Sequence, residues 1–596
     1  METETEIKTY RVDDIPLLIG HQQKLGLAEI VDEQIKPHGN RQGQSIGWTV
    51  VGWLSYILSQ ADHRVSYVES WAAEQQDILQ KLIPQEVSVR DFTDDRLGDV
   101  LSYLSDDESW SAIEASLGQR LIQVYEIPTE RVHLDSTSAA VYHTPEGNAW
   151  IEYGYSKDHR PDLAQLKVMM SSLAPMGMPL ATIVVPGNQA DDELYVPAIK
   201  QSRKVLNRRG VLYMGDSKME ALTIRATVAA DGDFYLTPLS KKGSQSELLQ
   251  ELLNPVWSEA QELTAIYDQT DGNSPNRLLA RAFETTRRQA AIVEGNDELF
   301  SWDERVLVVY SPTLAESHTQ SLLARLRKAE EQLLALTPKP GRGKRQWSDL
   351  LPLEAAAHAI LKRYNLLGLF SLTFERQENQ QQKRKYKDRP ACTETIVRYQ
   401  IHLTRNEDAI DKQQRTLGWR LFVTNFPLQR FSIADAVHAY REAPVHERNF
   451  SRLKNRPLGL RPLFVHRQDH IVGLVRLLSL ALRLLTLVEF VVTQQLQQQD
   501  TSLAGLFEGN PTRTTQRPTT ERLLRAFQPI TLTVVSLPGP RIFHLTPLTS
   551  LQRQILTLLG LPDSIYHDLA RDFNAIPPSC YRTEKKCEKK GIRAEA

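Results

Sequence analysis

Two short β-forming runs each end on an aspartate: Arg131-Val-His-Leu-Asp135 and Val211-Leu-Tyr-Met-Gly-Asp216. Between them lie strand-like runs at Lys167–Met170 and Leu180–Val185 and a helical stretch from Glu193 to Leu206. A strand, a crossover helix and a strand form a parallel pair, so the runs at 180–185 and 211–214 belong to one sheet. Open α/β sheets carry their sites at the carboxyl edge of such strands, which is where Asp135 and Asp216 would meet. Two carboxylates placed there would hold a divalent metal.

The third acid of interest, Glu447, follows Asp216 after 230 intervening residues. That is too long for a connection within a compact domain, so a whole domain is inserted between them. At 596 residues the chain exceeds a single core and accommodates about three to five domains. The reading is a mixed α/β chain in five parts. Residues 1–125 are a helical domain with a candidate DNA-binding role, since Gly47–Ser59 and Leu97–Leu104 repeat apolar residues every three or four positions. Residues 126–235 form the first half of a catalytic core. Residues 236–417 are a mixed α/β insertion, with a helix over Thr319–Leu336 and strand-like runs at Arg305–Tyr310 and Thr395–Ile401. Residues 418–497 are the second half of the core, entered by the run Arg420–Asn425, which returns the chain to the catalytic sheet. Residues 498–596 are a C-terminal domain and basic tail behind the polar linker Gln494–Ser502.

Ser432 and Asp435 have the spacing of a helix-starting box, Pro444 interrupts the helix that follows, and Glu447 to Lys454 resumes it. Seven residues advance a helix by about 700°, close to two turns, so Glu447 and Lys454 share a face. Tyr440 shares it only if Pro444 bends the chain little.

Net charge is −2, from 71 basic and 73 acidic residues, but the distribution is uneven. From Arg448 to Gln468 there are Arg448, Arg452, Lys454, Arg456, Arg461 and Arg467 and no acid, a field suited to phosphates. Smaller basic clusters sit at 383–389 and 582–593. Three cysteines (Cys392, Cys580, Cys587) exclude a disulfide framework, and with no charged-then-apolar leader the expectation is a cytoplasmic protein. The most apolar stretch, Ile471–Val492, contains Arg476, Arg483 and Glu489 and reads as a buried or amphipathic helix, so no membrane is expected. Dinucleotide, phosphate-loop, nucleophile-elbow and His-Glu-x-x-His motifs are absent from the sequence.

Together, His133-Leu-Asp135-Ser-Thr, Gly154-Tyr-Ser-Lys-Asp-His-Arg-Pro-Asp-Leu163, Gly215-Asp216-Ser and Tyr440…Glu447-Arg-Asn-Phe-Ser-Arg-Leu-Lys454 resemble the DDE transposases of bacterial insertion sequences, in the branch with a Tyr-Arg-Glu-Lys signature. The resemblance spans roughly 128–495. The signature's arginine, three after the tyrosine, is here Ala443, followed by Pro444. The resemblance implies a ribonuclease-H-like catalytic domain in which Asp135, Asp216 and Glu447 are the catalytic residues and ligands of two Mg2+ ions, with Mn2+ as the alternative. It further implies that Tyr440, Arg448, Arg452, Lys454 and Arg456 contact DNA. The partners are the element's inverted ends and target DNA, handled by a homodimer on the nucleoid.

The bland alternatives are an aspartate that caps a turn, a Lys454 on a solvated helix face, a Tyr440 that only packs, and a plain hairpin turn at 154–163. Two other functions compete: a DNA-binding relic without catalysis, and a structure-specific nuclease of the same fold that never joins strands.

Overall fold

The computed structural model describes residues 6–571 except positions 40, 241–242, 269–276, 294, 296–298, 342, 345, 384–391 and 537–540. The basic positions 384–389, the lysine-rich terminus, Cys580 and Cys587 lie outside the described residues. The chain divides into two compact units, the first made of Met1–Leu236, Ala290–Ser301 and His438–Ala596, the second of Thr237–Gln289 and Trp302–Val437.

The first unit opens with β1 (Glu6–Arg11) and a run of helices: α1 (Ile15–Leu25), α2 (Leu27–Gln34), α3 (Ile46–Gln60), α4 (Val68–Glu74), α5 (Gln76–Leu82), α6 (Asp94–Ser105) and α7 (Asp107–Tyr125). There follow β2 (Arg131–Val141), β3 (Ala164–Leu173), β4 (Met178–Pro186), α8 (Tyr195–Leu206), β5 (Leu212–Met214), α9 (Leu222–Ala230) and β6 (Phe234–Pro238). These strands lie in the order β4-β3-β2-β5-β6, with β3 antiparallel to both neighbours and β2, β5 and β6 mutually parallel. That is a ribonuclease-H-like sheet. β4 and β5 are parallel members of one sheet, as the strand-helix-strand spacing predicts, but β3 and β2 stand between them.

β2 is longer than its apolar run. Ser136-Thr-Ser-Ala-Ala-Val141 shows no hydropathy signal, yet it pairs with Ala164–Met169 of β3 and is buried. Small side chains suit a central strand covered on both faces.

In the second unit, α10 (Ser244–Trp257), β7 (Thr264–Tyr267), β8 (Leu278–Ile292) and β9 (Leu299–Tyr310) precede α11 (Pro312–Leu336) and α12 (Leu350–Tyr364). Leu322, Leu326, Leu333, Leu353 and Leu361 of these two helices form a buried cluster with Phe370 and Ile401. The latter two lie on β10 (Phe370–Lys383) and β11 (Cys392–Arg405), which form an antiparallel ribbon. After α13 (Glu407–Arg415), β12 (Trp419–Thr424) pairs with β9, and Leu421 O accepts from Leu239 N just beyond β6. The unit ends at Val437, inside α14 (Ile433–Tyr440), not near 417. Strand pairing of β12 keeps residues 419–424 with the insertion.

Back in the first unit, α15 (Ala443–Lys454) and the long α16 (Gln468–Gln498) follow. By length and composition α16 could cross a membrane, but its apolar window is wholly buried within the protein. Gly473 lets it meet α6 closely, since a Cβ there would lie 2.0 Å from Leu101 O. Its buried arginines are paired: Arg476 with Asp107 and Leu104 O, Arg483 with Glu114 and the carbonyls of Pro179 and Leu180.

Beyond Gln498 come β13 (Leu503–Ala504), β14 (Thr514–Thr515), α17 (Thr520–Arg525), β15 (Thr531–Ser536), β16 (Ile542–Leu545), α18 (Ser550–Leu559) and α19 (Ser564–His567). They do not stand apart as a separate domain. β15 pairs with β1 across six residues, and the buried Tyr566 hydroxyl donates to Asp13 O at 3.0 Å, so this region closes on the amino-terminal helices.

Candidate active site

Asp135 is the fifth residue of β2 and a partly exposed point in a strand otherwise buried after Arg131. β2 pairs in parallel with β5, Arg131 opposite Leu212 and His133 opposite Met214. The same offset carries Asp135 to Asp216, immediately past the end of β5. Neighbouring strands run about 4.8 Å apart, so the two carboxylates meet at the level where β5 stops. Asp135 is therefore beside the edge of the parallel pair although its own strand continues to Val141.

The environment of this pair favours a cation. Asp135 Oδ1 accepts from Ser136 N at 2.7 Å. Burial pushes its carboxyl up to about 6; the Lys157 ammonium opposes that shift and the Asp216 and Asp191 carboxylates add to it. Asp216 begins a short turn, Ser217–Glu220, and its Oδ1 accepts from Lys218 N at 2.8 Å and from the Tyr195 hydroxyl at 2.6 Å. Burial, reinforced by Asp216, raises the Tyr195 phenol well above its ordinary range, so it stays a donor. Gly215 makes this contact feasible: a Cβ there would lie 2.8 Å from Tyr195 Cε1 and 2.8 Å from Met219 Sδ. Tyr195 is a functional position that sequence reasoning missed; it is simply the first residue of a helix.

The segment 154–163 is a site-proximal loop. Lys157 Nζ donates to Ser136 O and Ser136 Oγ, both at 2.7 Å, and lies 3.8 Å from Asp135 and 3.5 Å from Asp191. Asp158, its side chain only 8% exposed, accepts from Ala140 N and pairs with Lys454 at 2.8 Å and Arg461 at 2.7 Å.

The helix carrying Glu447 starts as its sequence dictates. Ser432 and Asp435 cap α14 reciprocally, and Pro444 sits in the first turn of α15 after a break at Arg441-Glu442. α15 is fixed to β2 at two points. Glu442 pairs with Arg131 at 3.1 Å, and the His446 and His133 rings stack with centroids 3.9 Å apart. Burial lowers His133 to about 4 and His446 to about 2, so both rings are neutral and the contact is one of packing. His133 and Asp135 are two apart on a strand and share a face, so α15 lies on the Asp135 side of β2.

Glu447 itself is exposed, with no hydrogen-bond or ion-pair partner among the described residues. Among the described residues no three acidic, histidine or cysteine side chains stand close enough to hold a metal ion. The structure thus brings Asp135 and Asp216 together and leaves Glu447 outside the pair on an adjacent helix. The two aspartates fit a hard divalent cation, being oxygen donors in a pocket where burial and mutual repulsion disfavour bare carboxylates.

The other expected DNA contacts divide. Arg452, its side chain 6% exposed, is bound to Glu489 and Glu521 and holds α15 in place. Lys454 is turned onto Asp158 and Arg448 onto Glu489. Arg456 is exposed just beyond α15, and Tyr440 is half-buried at the end of α14.

With this geometry in hand, comparison with known proteins gives three results. The family model described as transposase DDE domain matches residues 128–484, more than half of the chain, and a domain of unknown function (DUF4277) matches residues 7–114. No curated protein matches significantly. Among solved structures, the chain is similar to that titled a piggyBac transposase synaptic complex with hairpin DNA, at 9% identity and a TM-score of 0.24, over 50% of this chain and 56% of that one. The chain therefore spans little more than half of that structure's length. On the family match across its catalytic halves and insertion, this chain belongs to the DDE-domain transposases.

Proposed function

We propose that the chain is a DNA transposase that binds the inverted ends of an insertion sequence, cleaves there, and joins the freed 3′ ends to target DNA. The observation that carries this reading is the opposition of Asp135 and Asp216 on neighbouring parallel strands. Asp135 and Asp216 would hold magnesium or manganese. Glu447, unpartnered among the described residues on a helix pinned to the Asp135 strand, would swing in as the third ligand and allow two ions. Such ions, when bound, supply activation of the attacking water or 3′ hydroxyl and neutralise charge at the phosphate.

The chain's own groups do the positioning. Tyr195 and Lys218 N orient Asp216, and Ser136 N orients Asp135. Arg456 is placed to touch backbone phosphates, which fixes register more than sequence. Two ends must be handled together, so the working form is a homodimer on DNA.

The test is cleavage and joining of end-bearing DNA with Mg2+ or Mn2+. Asp135→Asn, Asp216→Asn and Glu447→Gln should each lose cleavage by at least a hundredfold while retaining end binding; full activity in any one rejects that residue's assignment. The position of Glu447 also favours a second reading, a relic that binds ends without cutting them, which holds if the wild-type chain shifts DNA but never nicks it. Failure to link a pre-cut 3′ end to plasmid DNA would instead indicate a nuclease.

A further inference from the structure

We propose that Lys157 is the resident cation of the aspartate pocket and sets the affinity of Asp135 and Asp216 for divalent metal. This rests on the metal-binding reading above and adds a residue to it. The Lys157 ammonium is not at the end of a free side chain. Its own backbone N–H donates to Ser138 Oγ at 2.8 Å, and the next residue, Asp158, is locked to Ala140 N, Lys454 and Arg461. The ammonium rests on Ser136 O and Ser136 Oγ between Asp135 and Asp191. Asp191 is fixed in turn, because Lys167 binds its other oxygen at 2.9 Å.

The pocket therefore gathers Asp135, Asp191 and Asp216 against Lys157 and Lys167. Asp135 is the loose end of this arrangement, since its 3.8 Å separation from Lys157 is the longest of these contacts. An ion arriving between Asp135 and Asp216 meets a positive charge already beside Asp135, and Lys157 retains Ser136 O and Asp191 as partners when it yields. The lysine acts as a built-in competitor. It keeps the pocket electrically quiet without metal and leaves a tethered cation beside the reacting phosphate when metal binds. If Lys157 only propped up the loop, removing it would loosen Ser136 and weaken metal binding; a competitor's removal does the opposite.

Mn2+ binding to the full chain without DNA, followed by the electron paramagnetic resonance of free Mn2+, separates these outcomes. K157M should bind Mn2+ about tenfold more tightly than wild type, as expected for deleting one unit charge some 4–5 Å away in a partly screened site. K157R, which keeps the charge, should stay near wild type, and D135N should lose the tight site. Equal or weaker binding by K157M overturns the role of Lys157 while leaving the aspartates in place if D135N still abolishes binding. Tight Mn2+ binding that survives D135N overturns both.

Discussion

Asp14 offers a test of how the amino-terminal helices are held. It precedes α1 without making the side-chain cap bond its position allows, is 3% exposed, and leaves Oδ1 without a partner. Burial pushes its carboxyl up to about 7, and neighbouring Asp13 adds to the shift. A carboxyl raised on folding contributes stability that is full below its unfolded value near 3.8 and is lost as pH rises through 7. About three pH units at about 1.4 kcal/mol each set a ceiling of about 4 kcal/mol, which water penetration brings nearer to about 2 kcal/mol. Asp14→Asn keeps the shape and cannot ionise. It should equal wild type at pH 5 and exceed it by about 2–4 kcal/mol at pH 8. Urea unfolding of both chains from pH 5 to 8 reads this as a difference between variants, cancelling other titrating groups. A difference that does not change with pH refutes the argument that Asp14 ionises inside the fold.

Two further perturbations follow from the core and from the site. Arg483→Met strands the Glu114 carboxylate, 1% exposed, beside Thr182 N alone, and should cost about 3–5 kcal/mol in urea melts, with E114Q/R483M less damaged than R483M. Gly215→Ala drives a methyl into Tyr195 and Met219; it should cost about 1–3 kcal/mol and displace Asp216, seen as at least tenfold weaker Mn2+ binding, whereas unchanged binding would show that the Tyr195 contact does not orient Asp216.

The sequence made the aspartates legible because strand-forming side chains precede each, and a strand-helix-strand spacing leaves few topologies. It made the α14–α15 break legible because Ser432, Asp435 and Pro444 act through their own backbone. Other features depend on partners distant in the chain. The polar half of β2 is a strand because β3 lies beside it, and Tyr195 matters because Gly215 opens a path to Asp216. The ladder between β1 and β15 joins positions more than 500 residues apart, so hydropathy alone gave a separate C-terminal domain. Lys157 lay in a segment dense in charge, a usable signal, whereas Asp191 carried none.

The basic stretch after Glu447 shows the same limit in electrostatic form. Six cations without an intervening acid imply a strong field only if their counter-charges are equally local. In the fold the acids arrive from elsewhere: Glu489 reaches Arg448 and Arg452, Glu521 also reaches Arg452, and Asp158 holds Lys454 and Arg461. Arg467 pairs with Asp469, just outside the acid-free run. Among the described residues Arg456 alone of the six has no such partner. Lys454 and Arg461 instead bind the loop carrying Lys157 to the helix carrying Glu447, through one nearly buried carboxylate. The signature lysine thus couples two parts of the candidate site to each other, and any phosphate it contacts must compete with Asp158.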